Sequence, residues 1–240
     1  MQNFKGWISY GSNFSLQNDQ VHLTIYISVT LAIEYRYQHF NKKSHSEKLT
    51  MEKLLFEMNK YFPLSEQTIE ALKKICQPKS YKKNELILRA GDYAKYYYFV
   101  YSGLLGYYKL DPEGDIIYKL FFEENSFCAS TAAIIEEKPS NFTIVALEDV
   151  QVIQYSAKLF RELVAQHHDL ALFQIAYLEK NWVVKKEPLE INLKWESAKE
   201  RYLELYQNQA LFKRLKQHHI ASYLGVTPTQ LSRIRKELKR

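Results

Sequence analysis

Cysteine is scarce in this sequence. Cys76 and Cys128 are the only two among 240 residues, too few for a disulfide-rich secreted scaffold or for a protein-ligated four-cysteine iron–sulfur cluster. A reducing, cytoplasmic setting is the matching expectation. Long apolar runs are missing as well. The best stretch, Val21 to Ile33, falls short of the roughly 20 residues a membrane helix needs, and Glu34 and Arg36 follow close behind it. No membrane span or membrane partner is expected. Charge is thin before that stretch and no small-residue cleavage site follows it, which argues against a signal peptide. Nor is there a glycine-rich phosphate loop, a nucleophile elbow or a metal-ligand spacing. The sequence therefore predicts no enzyme, no cofactor and no metal. The pairs His167-His168 and His218-His219 do not change this, because adjacent helical residues point about 100° apart and need a third ligand to share an ion.

What is abundant is positive charge. The formal net charge is +6 and the isoelectric point is near 9.0, in a chain whose 46% hydrophobic and 25% charged composition is that of an ordinary folded protein of one or two domains. The basic residues crowd toward the end: Lys213, Arg214, Lys216, Arg233, Arg235, Lys236, Lys239 and Arg240, with Glu237 the acid among the last of them. Such a cluster points to nucleic acid more than an evenly spread excess would.

Four textures follow one another along the chain. Residues 1–50 mix aromatic and polar residues without sustained periodicity and end in the polar run Asn41 to Lys48. Within them Val21 to Val29 alternates like a strand with no evident partner. This segment reads as an extension, disordered or upstream of a true start at Met51. From Met51 the pattern is helical, with Leu54, Leu55 and Met58 on one face; after Pro63 a second helix, capped by Ser65, buries Ile69, Leu72 and Ile75. Between Tyr81 and Tyr155, β-prone runs at 85–88, 96–101, 104–110, 116–122, 142–147 and 150–155 predict an antiparallel β domain. Asp111-Pro112-Glu113-Gly114-Asp115 is its sharpest turn and predicts a hairpin. Helical spacing then returns: Leu170, Phe173, Tyr177 and Val184 form a seam suited to packing on a partner, and Pro188 ends or kinks the helix as a hinge. The fold class is α+β.

The segment from Gln217 to Lys236 reads as two helices joined by a tight turn. Ile220, Ala221 and Leu224 belong to the first, and Val226, Leu231 and Ile234 bury the second against it. Ala221 is small where the helices cross, and Gly225 offers the left-handed conformation that a helix C-terminus favours. Thr227 is a natural N-cap with Pro228 at the first helical position, where its missing N–H costs nothing. That leaves Thr227, Thr229, Gln230, Ser232, Arg233 and Lys236 outward or flanking, a hydrogen-bonding and cationic set suited to a major groove. Arg233 is the candidate base reader and Lys236 a phosphate contact. His218, at the start of the first helix, is placed to touch phosphate, as is its neighbour His219.

The stretch Ile220-Ala-Ser-Tyr-Leu-Gly-Val-Thr-Pro-Thr-Gln-Leu-Ser-Arg-Ile-Arg-Lys236 resembles the helix-turn-helix of the Crp/Fnr family, and Gly91-Asp92 with Gly103 frames Tyr98-Phe99-Val100 as that family's β-roll frames a strand pair. The resemblance runs from about Met51 to Arg240. It implies an antiparallel, cyclic-nucleotide-binding-like β-roll sensor over 51–158, a long dimerisation helix and hinge over 159–190 with Leu170, Phe173, Tyr177 and Val184 at the dimer interface, and a helix-turn-helix domain over 191–240. It further implies a homodimer on a near-palindromic stretch of double-stranded DNA, with RNA polymerase as a further partner. Arg233 matches a family arginine that reads bases, whereas Pro228 and Thr229 depart from the catabolite activator's pattern, so operator preference should differ.

The sensor pocket departs more. Cyclic-AMP-binding members carry a Gly-Glu pair and an Arg-Ser pair where this chain has Phe127-Cys128-Ala129-Ser130 and Pro139-Ser140-Asn141-Phe142. A cyclic phosphate entering a buried pocket without its arginine would be left unpaired at a cost of several kcal/mol. Cyclic AMP is therefore not expected as the effector, and Cys128, Ser130, Thr131, Ser140 and Asn141 remain as a candidate pocket for an unidentified one. Cys128 reads as a buried structural thiol and the strand tyrosines as core. A competing class of function is a ligand-binding or protein-docking module in which the β-roll acts; steep salt dependence of binding would separate DNA contacts from an apolar docking surface.

Overall fold

The computed structural model describes residues 51–187 and 197–238. The expected N-terminal extension with its strand pattern, the hinge at Pro188, the boundary at 190–191 and the terminal Lys239 and Arg240 lie outside the described residues.

Residues 51–59 form helix α1. Helix α2 (Glu66–Ile75) starts at Ser65, whose side chain accepts the Thr68 N–H as an N-cap should. Eight strands follow: β1 (Cys76–Tyr81), β2 (Leu86–Leu88), β3 (Tyr96–Ser102), β4 (Leu105–Leu110), β5 (Ile116–Phe122), β6 (Phe127–Cys128), β7 (Thr143–Ala146) and β8 (Val150–Ser156), with the short helix α3 (Thr131–Glu136) between β6 and β7. They make two four-stranded sheets, ordered β1-β8-β3-β6 and β2-β7-β4-β5, whose pairings are all antiparallel. The β4–β5 hairpin closes as its turn residues require, with Leu110 opposite Ile116 and Gly114 at φ 92°. Strand β1 has no counterpart in the periodicity. Its residues Cys-Gln-Pro-Lys-Ser-Tyr are mostly exposed because it is an edge strand, the one place where Pro78 loses no ladder bond that matters.

Period-two alternation sorts the strands' side chains into separate cores. Tyr98, Val100, Leu105, Tyr107, Ile144, Ala146 and Val152 meet between the sheets. Phe99, Ile153 and Tyr155 leave the other face of the first sheet and pack with Leu54, Met58, Leu72, Phe160, Leu170 and Phe173 from the helices. Val145, Leu147 and Tyr118 leave the outer face of the second sheet and pack with Tyr202, Leu205, Leu211, Leu215, Ile220, Ala221, Leu224 and Leu231 from the C-terminal helices.

The helical stretch after the β region is built in pieces: α4 (Ala157–Gln166), α5 (His168–Leu178) and a π-helical segment, Glu179–Val184. His167 adopts an extended conformation and breaks α4 from α5. The break is pinned from α2. The fully buried Thr68 hydroxyl donates to Asp169 Oδ1 at 2.7 Å, and the Ser65 N–H donates to Asp169 Oδ2 at 2.7 Å. Four further helices, α6 (Ala198–Gln207), α7 (Gln209–Arg214), α8 (Gln217–Leu224) and α9 (Pro228–Leu238), complete the described chain. No helix among the described residues is long and apolar enough to cross a membrane.

Candidate nucleic-acid interface

Helix α8 ends at Gly225, whose φ of 67° and ψ of 35° place it in the left-handed region. Helix α9 begins three residues later. Thr227 Oγ1 accepts the Gln230 N–H at 3.2 Å while Gln230 Oε1 accepts the Thr227 N–H at 2.8 Å, a reciprocal capping box. Leu231 is fully buried against Ile220, Ala221 and Leu224, which fixes the crossing of the two helices. The opposite face of α9 is open: Thr229, Gln230, Ser232, Arg233 and Lys236 are all exposed.

These groups are not equivalent. Thr227 and Gln230 hold each other, and Ser232 donates to the Pro228 carbonyl at 3.0 Å while accepting from Gln217 Nε2 at 3.3 Å. Thr229, Arg233 and Lys236, at spacings of four and three, form one exposed stripe on the helix. His218 is exposed at the start of α8, but His219 is buried and does not reach solvent phosphate, which corrects the expectation for that residue. Its ring lies against Tyr118, and burial, followed by the charges of His218, Lys216 and Lys83, lowers its pKa to about 4. Arg235 is also withdrawn: its guanidinium sits 5.9 Å from the ring centres of Tyr202 and Phe212.

The helical unit is docked on the β5 side of the second sheet. Ser222 Oγ accepts the Tyr118 N–H at 3.1 Å and donates to the Ile116 carbonyl, covering part of the edge of β5. Gly106 lies beneath the Tyr118 ring, where a Cβ would come within 2.6 Å of Tyr118 Cε1. Arg214 donates to Glu124 at 2.8 and 3.1 Å and to Glu148 at 3.1 and 2.7 Å. Hydrogen bonds to Glu148, opposed by burial, raise the Arg214 pKa further still, and Glu124, which burial alone would push up, is held below its usual value by Arg214 and backbone amides. Sequence reading missed this contact because its members lie 66 and 90 residues apart.

The candidate effector-pocket residues divide. Ser130 and Ser140, both buried, are brought together: Ser140 Oγ donates to Ser130 Oγ at 2.8 Å, and Ser130 Oγ lies 3.2 Å from the Tyr107 hydroxyl. The Tyr107 ring stacks on Phe142 with centroids 4.5 Å apart, and Lys119 Nζ lies 4.9 Å from the Phe142 ring centre. Cys128 and Thr131 instead line a separate cavity of about 40 Å³ beside Phe127, Phe173 and Trp182, room for little more than water. Burial pushes the Cys128 thiol far up, as expected of a structural cysteine. Asn141 is exposed. Among the described residues, no cluster of three or more metal-binding side chains occurs.

Of the expected dimer-interface residues, Leu170 and Phe173 are 0% and 2% exposed within the chain's own core, and Tyr177 packs against the same core. Their stripe is consumed inside the chain, so a dimer contact through them would need them to leave it. Val184 is exposed, along with Ile175, Trp182 and Val183.

Residues 78–167 match the cyclic nucleotide-binding domain family. The chain's fold is that of Crp/Fnr-type regulators. It superimposes on the c-di-GMP-responsive global regulator CLP of Xanthomonas campestris with a TM-score of 0.59 and 16% identity, covering 73% of this chain and 92% of that one. FixK2 of Bradyrhizobium japonicum gives 0.58 and 18%, covering 69% and 85%. A Crp/Fnr-family transcriptional regulator from Eubacterium rectale gives 0.55 and 18%, covering 75% and 88%. No curated protein matches the sequence itself.

Proposed function

We propose that this chain, whose fold is that of Crp/Fnr transcription regulators, binds a near-palindromic DNA site as a homodimer and does so without cyclic nucleotide. The observation that carries the reading is the exposed stripe Thr229–Arg233–Lys236 on a helix whose start is capped by Thr227 and whose inner face is locked by Leu231. A helix so held presents its side chains at fixed positions, which base reading requires. Arg233 offers two parallel hydrogen bonds to a guanine edge; Lys236 and the exposed Lys213 and Lys216 neutralise phosphates.

Two copies place two such helices in successive major grooves, about 34 Å apart. The exposed apolar side chains Ile175, Trp182, Val183 and Val184 supply a surface for the second copy, a role for which the sequence offered Val184 together with Leu170, Phe173 and Tyr177. Independence from cyclic nucleotide is supported by the pocket region: Ser130, Ser140 and Tyr107 satisfy one another, Phe142 stacks over Tyr107, and the stretch from Pro139 to Phe142 contains no arginine.

The test is selection from random duplex DNA at two salt concentrations, without added nucleotide, using the wild type and Arg233→Ala. A palindromic site enriched by the wild type alone supports the reading. If neither enriches a site, with or without cell extract, DNA recognition by this face is wrong.

A further inference from the structure

The basic cluster that suggests DNA binding is not all available to DNA. Arg214 stands at the end of α7, just before the start of α8 at Gln217. Gln217 Nε2 in turn donates to Ser232 on α9. Arg214 thus precedes by three residues a side chain that touches the proposed recognition helix. Yet it makes four hydrogen bonds to two carboxylates of the β domain: Glu124, in the turn after β5, and Glu148, in the turn before β8. Each carboxylate is gripped through both oxygens, the planar two-pronged geometry in which a guanidinium also takes a phosphate.

Two features separate this contact from an ordinary ion pair. One carboxylate would neutralise Arg214; the second leaves the cluster with an excess negative charge on a helical unit meant for a polyanion. The side chains are also reachable, with 23% of Arg214, 34% of Glu124 and 35% of Glu148 exposed, so the bonds can be exchanged without unfolding either unit. The apolar docking of Tyr118, Leu147, Leu211 and Ile220 is built from other side chains.

We propose that Glu124 and Glu148 act as an internal stand-in for DNA phosphate, occupying Arg214 in the free protein and lowering DNA affinity until the arginine exchanges them for the nucleic acid backbone. The proposal rests on the DNA-binding reading above. Its consequence is a brake set by the β domain: anything that shifts the turns carrying Glu124 and Glu148 changes the number of cations the helical unit offers to DNA.

The experiment compares full-length wild type, Glu124→Gln/Glu148→Gln, and the triple variant that adds Arg214→Gln. Each is titrated with the same duplex over a range of salt, and the exchange of the Tyr118 amide proton, bonded to Ser222, reports whether the helical unit stays docked. The double variant should bind about three- to tenfold tighter, with a salt slope steeper by about 0.9 for each copy engaged, the signature of one additional phosphate contact per copy. The triple variant should lose both gains, and Tyr118 exchange should stay as in the wild type. Equal or weaker binding by the double variant overturns the proposal alone. So does a gain that survives in the triple variant, or one accompanied by fast Tyr118 exchange, because removed acid or a released domain then explains it. No binding by any of the three overturns the DNA-binding reading itself, and the brake with it.

Discussion

The imidazole of His219 lies edge-on to the ring of Tyr118, with centroids 5.2 Å apart and planes at 70°. One residue belongs to α8 and the other to β5, so the contact joins the helical unit to the sheet, and it does so with a titratable ring whose pKa is lowered to about 4 by burial and then by His218, Lys216 and Lys83. A histidine whose folded pKa lies below its unfolded value near 6.5 contributes stability that is complete above that value. The contribution is lost as pH falls from about 6.5 to about 4, because the unfolded chain binds the proton first. The full shift corresponds to at most about 3 kcal/mol. Urea unfolding at pH 7.5 and pH 4.5 measures the loss. In His219→Gln, which keeps an acceptor for the Lys216 N–H, the difference between the two pH values should shrink by that amount.

Gly103 and Gly114 share a φ of 92° but not their surroundings. A Cβ on Gly103 would lie 2.5 Å from the Asp149 carbonyl oxygen and 2.9 Å from Val150 Cγ2, whereas nothing stands within 4 Å of one on Gly114. Gly114→Ala should therefore cost only the conformational penalty, about 1 kcal/mol. Gly103→Ala adds a collision of the β3–β4 connection with the Asp149–Val150 backbone at the start of β8 and should cost about 3 kcal/mol or more. Thermal unfolding of the two variants side by side checks the ranking; equal losses would mean that the β3–β4 turn yields more easily than its contacts imply.

The break at His167 depends on Asp169. Burial raises its carboxyl, but hydrogen bonds from Ser65, Thr68 and Leu170 outweigh that and hold it at about 2. A carboxylate depressed in this way stabilises the fold above the ordinary value of about 4 and stops doing so as pH falls from there toward about 2. Thr68→Val removes the donor without changing shape and leaves a charged oxygen short of a partner, which should cost about 1–3 kcal/mol at pH 7. Asp169→Asn should be less stable at pH 7 and should lose part of the acid sensitivity between pH 4 and 2. Denaturation monitored across that range tests both.

What was legible in the sequence follows from how local each signal is. The turn at Gly225, the cap at Thr227 and the stripe of Ile220, Leu224 and Leu231 all lie within a few residues of their partners, and their geometry is as those residues require. The apolar repeat of Leu170, Phe173 and Tyr177 was equally visible, but a stripe does not name what covers it, and here Phe99, Tyr155 and Leu54 do. Strand β1 was invisible because an edge strand need not alternate. The contacts of Arg214, the edge bond of Ser222 and the meeting of Ser130 with Tyr107 join residues 23 to 106 apart, and nothing local marks them. Among these residues, Arg214 is the one the sequence counted only as charge.

Helix α9 allows stability and specificity to be separated. Gln230 faces outward, yet its side-chain Oε1 accepts the Thr227 N–H and its backbone N–H donates to Thr227 Oγ1. Its side chain is committed to the cap, while Arg233, one turn later, has an exposed side chain on the outer stripe. Gln230→Ala should cost about 0.5–1 kcal/mol of stability and weaken binding evenly across DNA sequences. Arg233→Ala should leave unfolding unchanged, cost about 1–3 kcal/mol of specific binding and relax the preference at a single base pair in each half-site. Lys236→Ala should lower affinity for every sequence alike and reduce the salt slope by about 1 for each recognition helix engaged. Selection on a randomised half-site with each variant distinguishes these outcomes. If Gln230→Ala instead relaxes one base position, its side chain leaves the cap on binding, and the helix start must then be held by the DNA phosphate in place of Thr227's partner.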